Sequence, residues 1–517
     1  MRTGSRALRI GAPPISALWQ GFRSALWQGF RTADPVAVAL VDGRRSVDYG
    51  ALPALLESEI NWLARGGAER HALLADNGVA WALADLSLHL GEMFAVPLPE
   101  SFTDLQQVHA LDDAGIDALL TDNPARARQL LPGWRLDGEG PASGLVRFRR
   151  SLDPATRVAV PVGTRKVTYT SGSTSTPKGV CLSGETLEAV ARSLADATAT
   201  QAVERHLCLL PLATLLENVA GLYAPLLTGA TCIVPSCRMT GMNYAGLDVP
   251  RMLGSITAHA PNSLILVPEL LQALVIAAER GWPVPRSLRF VAVGGARVAP
   301  ALLARAEAAG IPAFEGYGLS ECASVVCLNT PAARRAGTVG RPLPHVTLRI
   351  DAAGQVHVRG NAMLGYLGDP PRLPDAEVAT GDVGAFDADG FLQLRGRAGN
   401  RFITSFGRNV SPEWIESEIS QRLGGIPVLA YGEARPSVVV LVGAAADDVD
   451  DASIGRAIGA ANAMLPGYAQ VSRWARTPQP FTFADGTLTA NGRLRRREIH
   501  ARFESVLDRL YGESLAS

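Results

Sequence analysis

Residues 168–180 read Thr-Tyr-Thr-Ser-Gly-Ser-Thr-Ser-Thr-Pro-Lys-Gly-Val. A β-prone run, Val167 to Thr170, drops into small and hydroxylated residues and then into Pro177, Lys178 and Gly179. Backbone amides around Gly172 can approach oxygen atoms closely, the hydroxyls of Thr170, Ser171, Ser173 and Thr174 can donate, and an ammonium adds a point charge. These are the ingredients of a polyphosphate cradle. A Walker loop is not met, since that pattern places glycine directly before the lysine and Pro177 stands there. Of the 49 basic residues only Lys166 and Lys178 are lysines. A lysine retained inside such a loop is a candidate for a role, set against the bland alternative of a solvated Ser/Thr turn.

The elements that must position this loop follow from pattern. At 517 residues the chain exceeds one core, and two or three domains are expected. From about 35 to 395, short apolar runs alternate with Ala/Leu-rich helical stretches, as in Ser263–Val267 followed by 268–280 and Leu288–Val293 followed by a helix near 299–309. That alternation predicts a layered α/β fold with largely parallel strands. Past 345 the texture becomes β with tight Asp/Gly turns. After a boundary near Gly399 a small α+β unit is expected. Its first helix has Ser411 to cap it, Pro412 in its first turn, Glu413 and Glu416 at the positive end of the dipole, and a stripe of Ile415, Ile419 and Leu423 closed by Gly424. Strands over 428–431 and 438–442 and a helix over 452–464 follow. The division is a 1–34 arm, a 35–398 large α/β domain and a 399–517 mobile small domain.

Bulk numbers exclude other classes. A formal net charge of zero gives no support to nucleic-acid binding. No run approaches the roughly 18 apolar residues of a membrane span. Six scattered cysteines without a CxxC pair, and dispersed histidines, argue for a reducing cytoplasmic setting and against a protein-held zinc site. The first 33 residues carry five arginines and no acidic residue, and SALWQGFR occurs twice in tandem, at 16–23 and 24–31. Two short copies do not make a solenoid. They read as a local duplication, with Trp19, Phe22, Trp27 and Phe30 as candidates for peripheral membrane contact.

The cradle resembles the phosphate-binding signature of the adenylate-forming superfamily of acyl-CoA synthetases, peptide-synthetase adenylation domains and luciferases. Further segments resemble the same family in its order: Pro211-Leu212 with Glu217-Asn218, Gly294-Gly295-Ala296, Glu315-Gly316-Tyr317-Gly318-Leu319-Ser320-Glu321, Thr380-Gly381-Asp382, Gly396-Arg397, Gly407-Arg408-Asn409 and Asn491-Gly492-Arg493. The resemblance spans about 35–500. It implies ATP-dependent activation of a carboxylate as an acyl adenylate, then transfer to a thiol. It also implies roles: the cradle, Ala296, Glu315, Gly316, Tyr317, Ser320, Asp382 and Arg397 for ATP and AMP, and Glu321 for magnesium. Arg493, Lys178, Glu321 and Ser320 are the implied catalytic set, Gly399 the hinge, and Gly407 and Arg408 the pantetheine tunnel.

The 213–223 stretch lacks the aspartate with which amino-acid-activating relatives hold an ammonium, and Glu217 matches a glutamate of long-chain acyl-CoA synthetases. Leu215, Leu216, Val219, Leu222 and Leu271, with Gly294, Gly295 and Cys322, are the expected acyl pocket, favouring a hydrophobic and foremost a fatty acid. Coenzyme A is the favoured acceptor, with a carrier-protein phosphopantetheine as alternative. Two residues depart from the family pattern: Ser175 replaces a loop glycine, and Arg493 stands where the family has lysine. Arginine keeps the charge but not the compact ammonium geometry. A catalytically weakened nucleotide-binding relative is therefore the rival reading.

Overall fold

The computed structural model describes residues 24–153, 157–170, 178–243, 246–373, 376–398, 402–403, 409–433, 435–445, 448–465, 467–489 and 492–512. Two large mixed sheets, of nine and eight strands, form the body of the molecule. In the nine-stranded sheet the parallel strands Arg205–Leu207, Ser263–Leu266, Phe290–Val293 and Ala313–Leu319 lie side by side. The expected strand–helix alternation is observed, with helices Pro268–Glu279 and Pro300–Ala308 following their strands. The helix Val79–Leu90 is buried on nearly every side, as an element wedged into the core must be.

A four-stranded antiparallel meander follows, made of Val346–Ile350, Gln355–Gly360, Val378–Phe386 and Leu392–Arg397. Its tight turns work as their Asp/Gly composition requires. Asp351 Oδ1 accepts from the amides of Ala353 and Gln355, and Asp387 Oδ1 from those of Asp389 and Phe391.

In the C-terminal part, Pro412–Arg422 is a helix with Ile415 and Ile419 buried, and Gly424 takes φ 72° just past its end. Two details differ from expectation. Ser411 makes no side-chain cap; its hydroxyl donates to Glu413 at 3.0 Å. Glu416 is buried rather than facing solvent, accepting from the Ala430 amide at 2.8 Å and pairing with Arg496. Strands Val428–Tyr431 and Val438–Val442 and helix Asp451–Asn462 lie where the pattern places them.

The second octapeptide copy forms the helix Ala25–Thr32, with Ser24 as its cap. Ser24 Oγ and the Ala25 amide both donate to Glu188, at 2.6 and 2.7 Å. Leu26, Gly29 and Phe30 are buried, and a β-carbon on Gly29 would lie 3.1 Å from Leu227. Phe30 is thus committed to the core and is not available to a membrane surface. Trp19 and Phe22 of the first copy lie outside the described residues. Among the described residues no helix is long and apolar enough to cross a membrane.

The other lysine of the chain, Lys166, holds three elements together. Lys166, on the strand Thr164–Thr170, is buried and its ammonium donates to Asp85 Oδ1 at 2.7 Å, Asn218 Oδ1 at 2.5 Å and the Tyr223 hydroxyl at 3.0 Å. Asp85 Oδ2 in turn accepts from Tyr223 at 2.7 Å and Asn218 at 2.8 Å. Burial pushes the Lys166 ammonium below its ordinary pKa, and Asp85 opposes that shift. Removing one partner of such a pair strands a charge in the core. Lys166→Ala should therefore lose about 3–5 kcal/mol in urea unfolding, and a loss under about 1 kcal/mol would show that Asp85 does not depend on it.

Candidate active site

The strands Thr164–Thr170 and Lys178–Ser183 form an antiparallel hairpin with Thr170 opposite Lys178. The cradle residues Ser171, Gly172, Ser173 and Thr174, with Ser175, lie outside the described residues, as do the Thr170 side chain, Gly399, Gly407 and Arg408. What the hairpin does fix is where Lys178 leaves the strand. Its ammonium sits 5.3 Å from the centre of the Tyr366 ring. Tyr366 belongs to the short strand Gly365–Tyr366, paired on the hairpin's outer edge, and its hydroxyl donates to Glu321 Oε1 at 2.8 Å. Lys178 and Glu321, some 140 positions apart in sequence, thus meet through a tyrosine that sequence pattern did not single out. The only signal was an aromatic inside the turn-like Leu-Gly-Tyr-Leu-Gly run.

Glu321 follows the strand Ala313–Leu319 in a turn, Ser320–Cys322, after which Ala323 and Ser324 take φ of 56° and 107°. Non-glycine residues in that region store local strain, a feature concentrated at functional sites. Gly318 is required on steric grounds, because a β-carbon there would lie 1.8 Å from the Ser324 carbonyl. Tyr317, one residue before it, donates its hydroxyl to Asp382 Oδ2 at 2.5 Å, and Arg397 Nε donates to Asp382 Oδ1 at 3.0 Å. Asp382 and Arg397 are direct partners across neighbouring strands, which sets this clamp by register. Burial and the Asp382 carboxylate push the Tyr317 phenol well above its ordinary range, so it stays a donor.

Gly294, Gly295 and Ala296 leave the end of strand Phe290–Val293, with Gly295 at φ 83°. Glu315 does not open onto this loop from the cleft; it is buried beneath it, accepting from the Val298 amide at 3.4 Å, and burial raises its carboxyl to about 8. Arg493 reaches the loop from the C-terminal part and donates to the Gly295 carbonyl. Burial lowers the Arg493 pKa, the nearby Arg397 charge adds to that, and Asp382 and Glu269 counter it. Asp382, Arg397, Arg493, Tyr317 and Gly295 therefore share one cleft.

An apolar cavity lies against the strands Ser263–Leu266 and Phe290–Val293. Leu216, Ala220, Ile265, Phe290, Ala292 and Val325 are among its walls, and Ala292 stands on the strand that ends one residue before Gly294. One wall is the π-helix Glu217–Tyr223, a form that recurs at functional sites. Of the pocket residues expected from sequence, only Leu216 lines the cavity. Leu215, Val219 and Leu222 pack into the large core cluster, Leu271 into the neighbouring one, and Cys322 into a third beside Val326. The physical reason is that a helix shows a cavity one face only, and here that face runs Leu216, Ala220, Ala224. The adjoining histidine and cysteine are not dispersed in space. His206, Cys208 and Glu217 bring candidate ligand atoms within 4.8 Å of one another. His206 bonds Ser263 Oγ at 2.8 Å through Nδ1 and Glu217 Oε1 at 3.0 Å through Nε2, so this trio is tied internally.

Residues 28–367 match the AMP-binding enzyme family and residues 400–515 the AMP-binding enzyme C-terminal domain. The chain belongs to the AMP-binding enzymes. It is a ligase of the adenylate-forming superfamily. It is 25% identical over 544 aligned residues to the long-chain-fatty-acid–CoA ligase FadD15 of Mycobacterium bovis, covering 86% of this chain and 88% of that protein. It is 28% identical to the fatty acid–[acyl-carrier-protein] ligase MmaC of Mycobacterium marinum, over 80% of this chain and 86% of that one. The anthranilate CoA ligase AuaEII, solved in complex with anthranoyl-AMP, shares the fold with a TM-score of 0.75 at 17% identity, over 94% of this chain and 98% of that one.

The Asp382 carboxylate, held by Tyr317 and Arg397, is an acceptor in this cleft. Asp382→Ala should weaken ATP binding about ten- to hundredfold in calorimetry, the scale of one charge-assisted hydrogen bond. Unchanged affinity would place the nucleotide elsewhere.

Proposed function

We propose that this AMP-binding enzyme activates a hydrophobic carboxylic acid, foremost a fatty acid, with ATP and passes the acyl group to the thiol of coenzyme A. The observation that carries the reading is the apolar cavity whose wall strand ends at Val293, with Arg493 donating to Gly295 in the loop that follows. An acid lying in the cavity would present its carboxylate to the cleft. No aspartate stands on the 213–223 wall to take an α-ammonium.

The first step is attack of a carboxylate oxygen on the α-phosphorus of ATP, with pyrophosphate leaving. In the second, a thiolate attacks the acyl carbon and AMP leaves with the bridging oxygen. Both need positioning and charge stabilisation rather than a protein nucleophile. Lys178, with the cradle Thr170 to Thr174, would take the β- and γ-phosphates. The Tyr317 ring with Ala296 and Gly316 would hold adenine, Asp382 and Arg397 the ribose, and Ser320 the α-phosphate. Glu321 suits magnesium, which takes oxygen donors and would neutralise phosphate charge. Arg493 would bridge the carboxylate and the α-phosphate in adenylation. Between the steps the small domain, 399–517, would turn about Gly399 and bring Gly407 and Arg408 to the pantetheine. The likeness to MmaC favours one second reading, a carrier-protein phosphopantetheine as acceptor.

Two outcomes are expected. Fatty acids should support acid-dependent pyrophosphate exchange better than any amino acid; stronger exchange with an amino acid would overturn the substrate class. Arg493→Ala should slow that exchange by about 10²–10³, the usual effect of deleting one preorganised donor, while thioester formation from supplied acyl adenylate stays near wild type. Exchange left intact in Arg493→Ala would remove Arg493 from the chemistry.

A further inference from the structure

Arginine in place of the family's lysine raises a geometric problem. A lysine ammonium donates in any direction, whereas a guanidinium is planar and must be turned to aim its N–H groups. Something has to fix its plane. One anchor is the Gly295 carbonyl. A carboxylate whose charge bears on it lies on the helix Pro268–Glu279, which begins directly after strand Ser263–Leu266. Leu270, Leu271, Leu274 and Val275 bind that helix to the core, and Glu269 is left facing the cleft.

The C-terminal part meets this helix at two places. A β-carbon on Gly492, the residue before Arg493, would lie 3.9 Å from Glu269 Oε1. One turn further, Gln272 Nε2 donates to the Gln421 carbonyl at 3.2 Å, and a β-carbon on Gly425 would stand 3.2 Å from Gln272 Oε1. Glu269 and Gln272 share a helix face by their i, i+3 spacing. That face is the seat on which the segments around Arg493 and Gln421 rest. The charges agree with the contact. Burial raises the Glu269 carboxyl and Arg493 opposes it, while Glu269 supports the charge on Arg493.

We propose that Glu269 is a positioning residue for adenylation: its carboxylate, with the Gly295 carbonyl, orients the Arg493 guanidinium and holds the C-terminal part in the arrangement used for the first half-reaction. This rests on the role proposed above for Arg493. It makes Glu269 the counterpart of the Lys-to-Arg departure.

The test is a cycle of Glu269→Gln in the wild-type and Arg493→Lys chains, with dodecanoate and labelled pyrophosphate for exchange, and dodecanoyl adenylate with coenzyme A for transfer. A neighbouring opposite charge at a cleft is worth little on its own, so Glu269→Gln should slow exchange by about fivefold, and Glu269→Asp should recover most of it. In Arg493→Lys the same substitution should change exchange by less than about twofold. Transfer from the supplied adenylate should be unaffected in every chain. Equal slowing of both half-reactions, or equal slowing in the Arg and Lys chains, would overturn the proposal and leave Glu269 a merely structural residue. Exchange unaffected by Glu269→Gln but lost in Arg493→Ala overturns the positioning role alone. Exchange intact in Arg493→Ala, or absent from wild type, overturns both readings.

Discussion

One ammonium ion in the core sets the geometry on which the rest depends. Lys166 comes from the first strand of the hairpin that carries Lys178, Asp85 from the helix wedged into the core, and Asn218 and Tyr223 from the π-helix that walls the cavity. Burying a charge is unfavourable by several kcal/mol unless geometry and hydrogen bonding are close to complete. The three elements must therefore assemble together, in one register. The hairpin that carries Lys178 and the helix that walls the cavity are tied to a common point that tolerates little movement. Gly221 belongs to the same constraint, since a β-carbon there would fall 2.2 Å from Glu217 Oε1 and 2.8 Å from His206 Nε2. The π-helix can lie against its polar partners only because that residue is glycine.

In the cleft itself the balance is reversed. Arg397 and Arg493 lie close enough to depress the charge on Arg493, and Asp382 is shared between them. Two like charges facing one cavity are an unfavourable arrangement that an anion relieves, and the donors are already aimed before it arrives. Tyr317 and Arg397 both point their donors at Asp382, so the position of its carboxylate is held from two strands. The body of the protein is thus rigid where the acid would lie and charged where phosphate would lie.

Much of this was legible in the sequence, and unevenly so. The motif residues Lys178, Gly295, Tyr317, Glu321, Asp382 and Arg397 could be named because local signatures carry them, and strand–helix alternation gave the layered fold. The C-terminal helix was legible from Pro412 and its Ile415–Ile419 stripe. What escaped were pairings that only tertiary structure creates. Tyr366 joins Lys178 to Glu321 across a sheet edge. Glu416 looked like a dipole partner and is a buried ligand of Arg496. The lining of the cavity was not legible, because apolar residues at 215, 219 and 222 are indistinguishable in sequence from the one that lines it, Leu216. Nothing in a one-dimensional pattern announces that a helix will be π or which way it turns.

The central claim is that the carboxylate oxygen of the substrate becomes bonded to the α-phosphorus of ATP. Full turnover of a fatty acid labelled with ¹⁸O in its carboxylate, with ATP, magnesium and coenzyme A, tests it directly by mass spectrometry of the products. The account predicts that each AMP formed carries one labelled oxygen and that pyrophosphate carries none. Label in inorganic phosphate or pyrophosphate, or AMP formed without label, would contradict it.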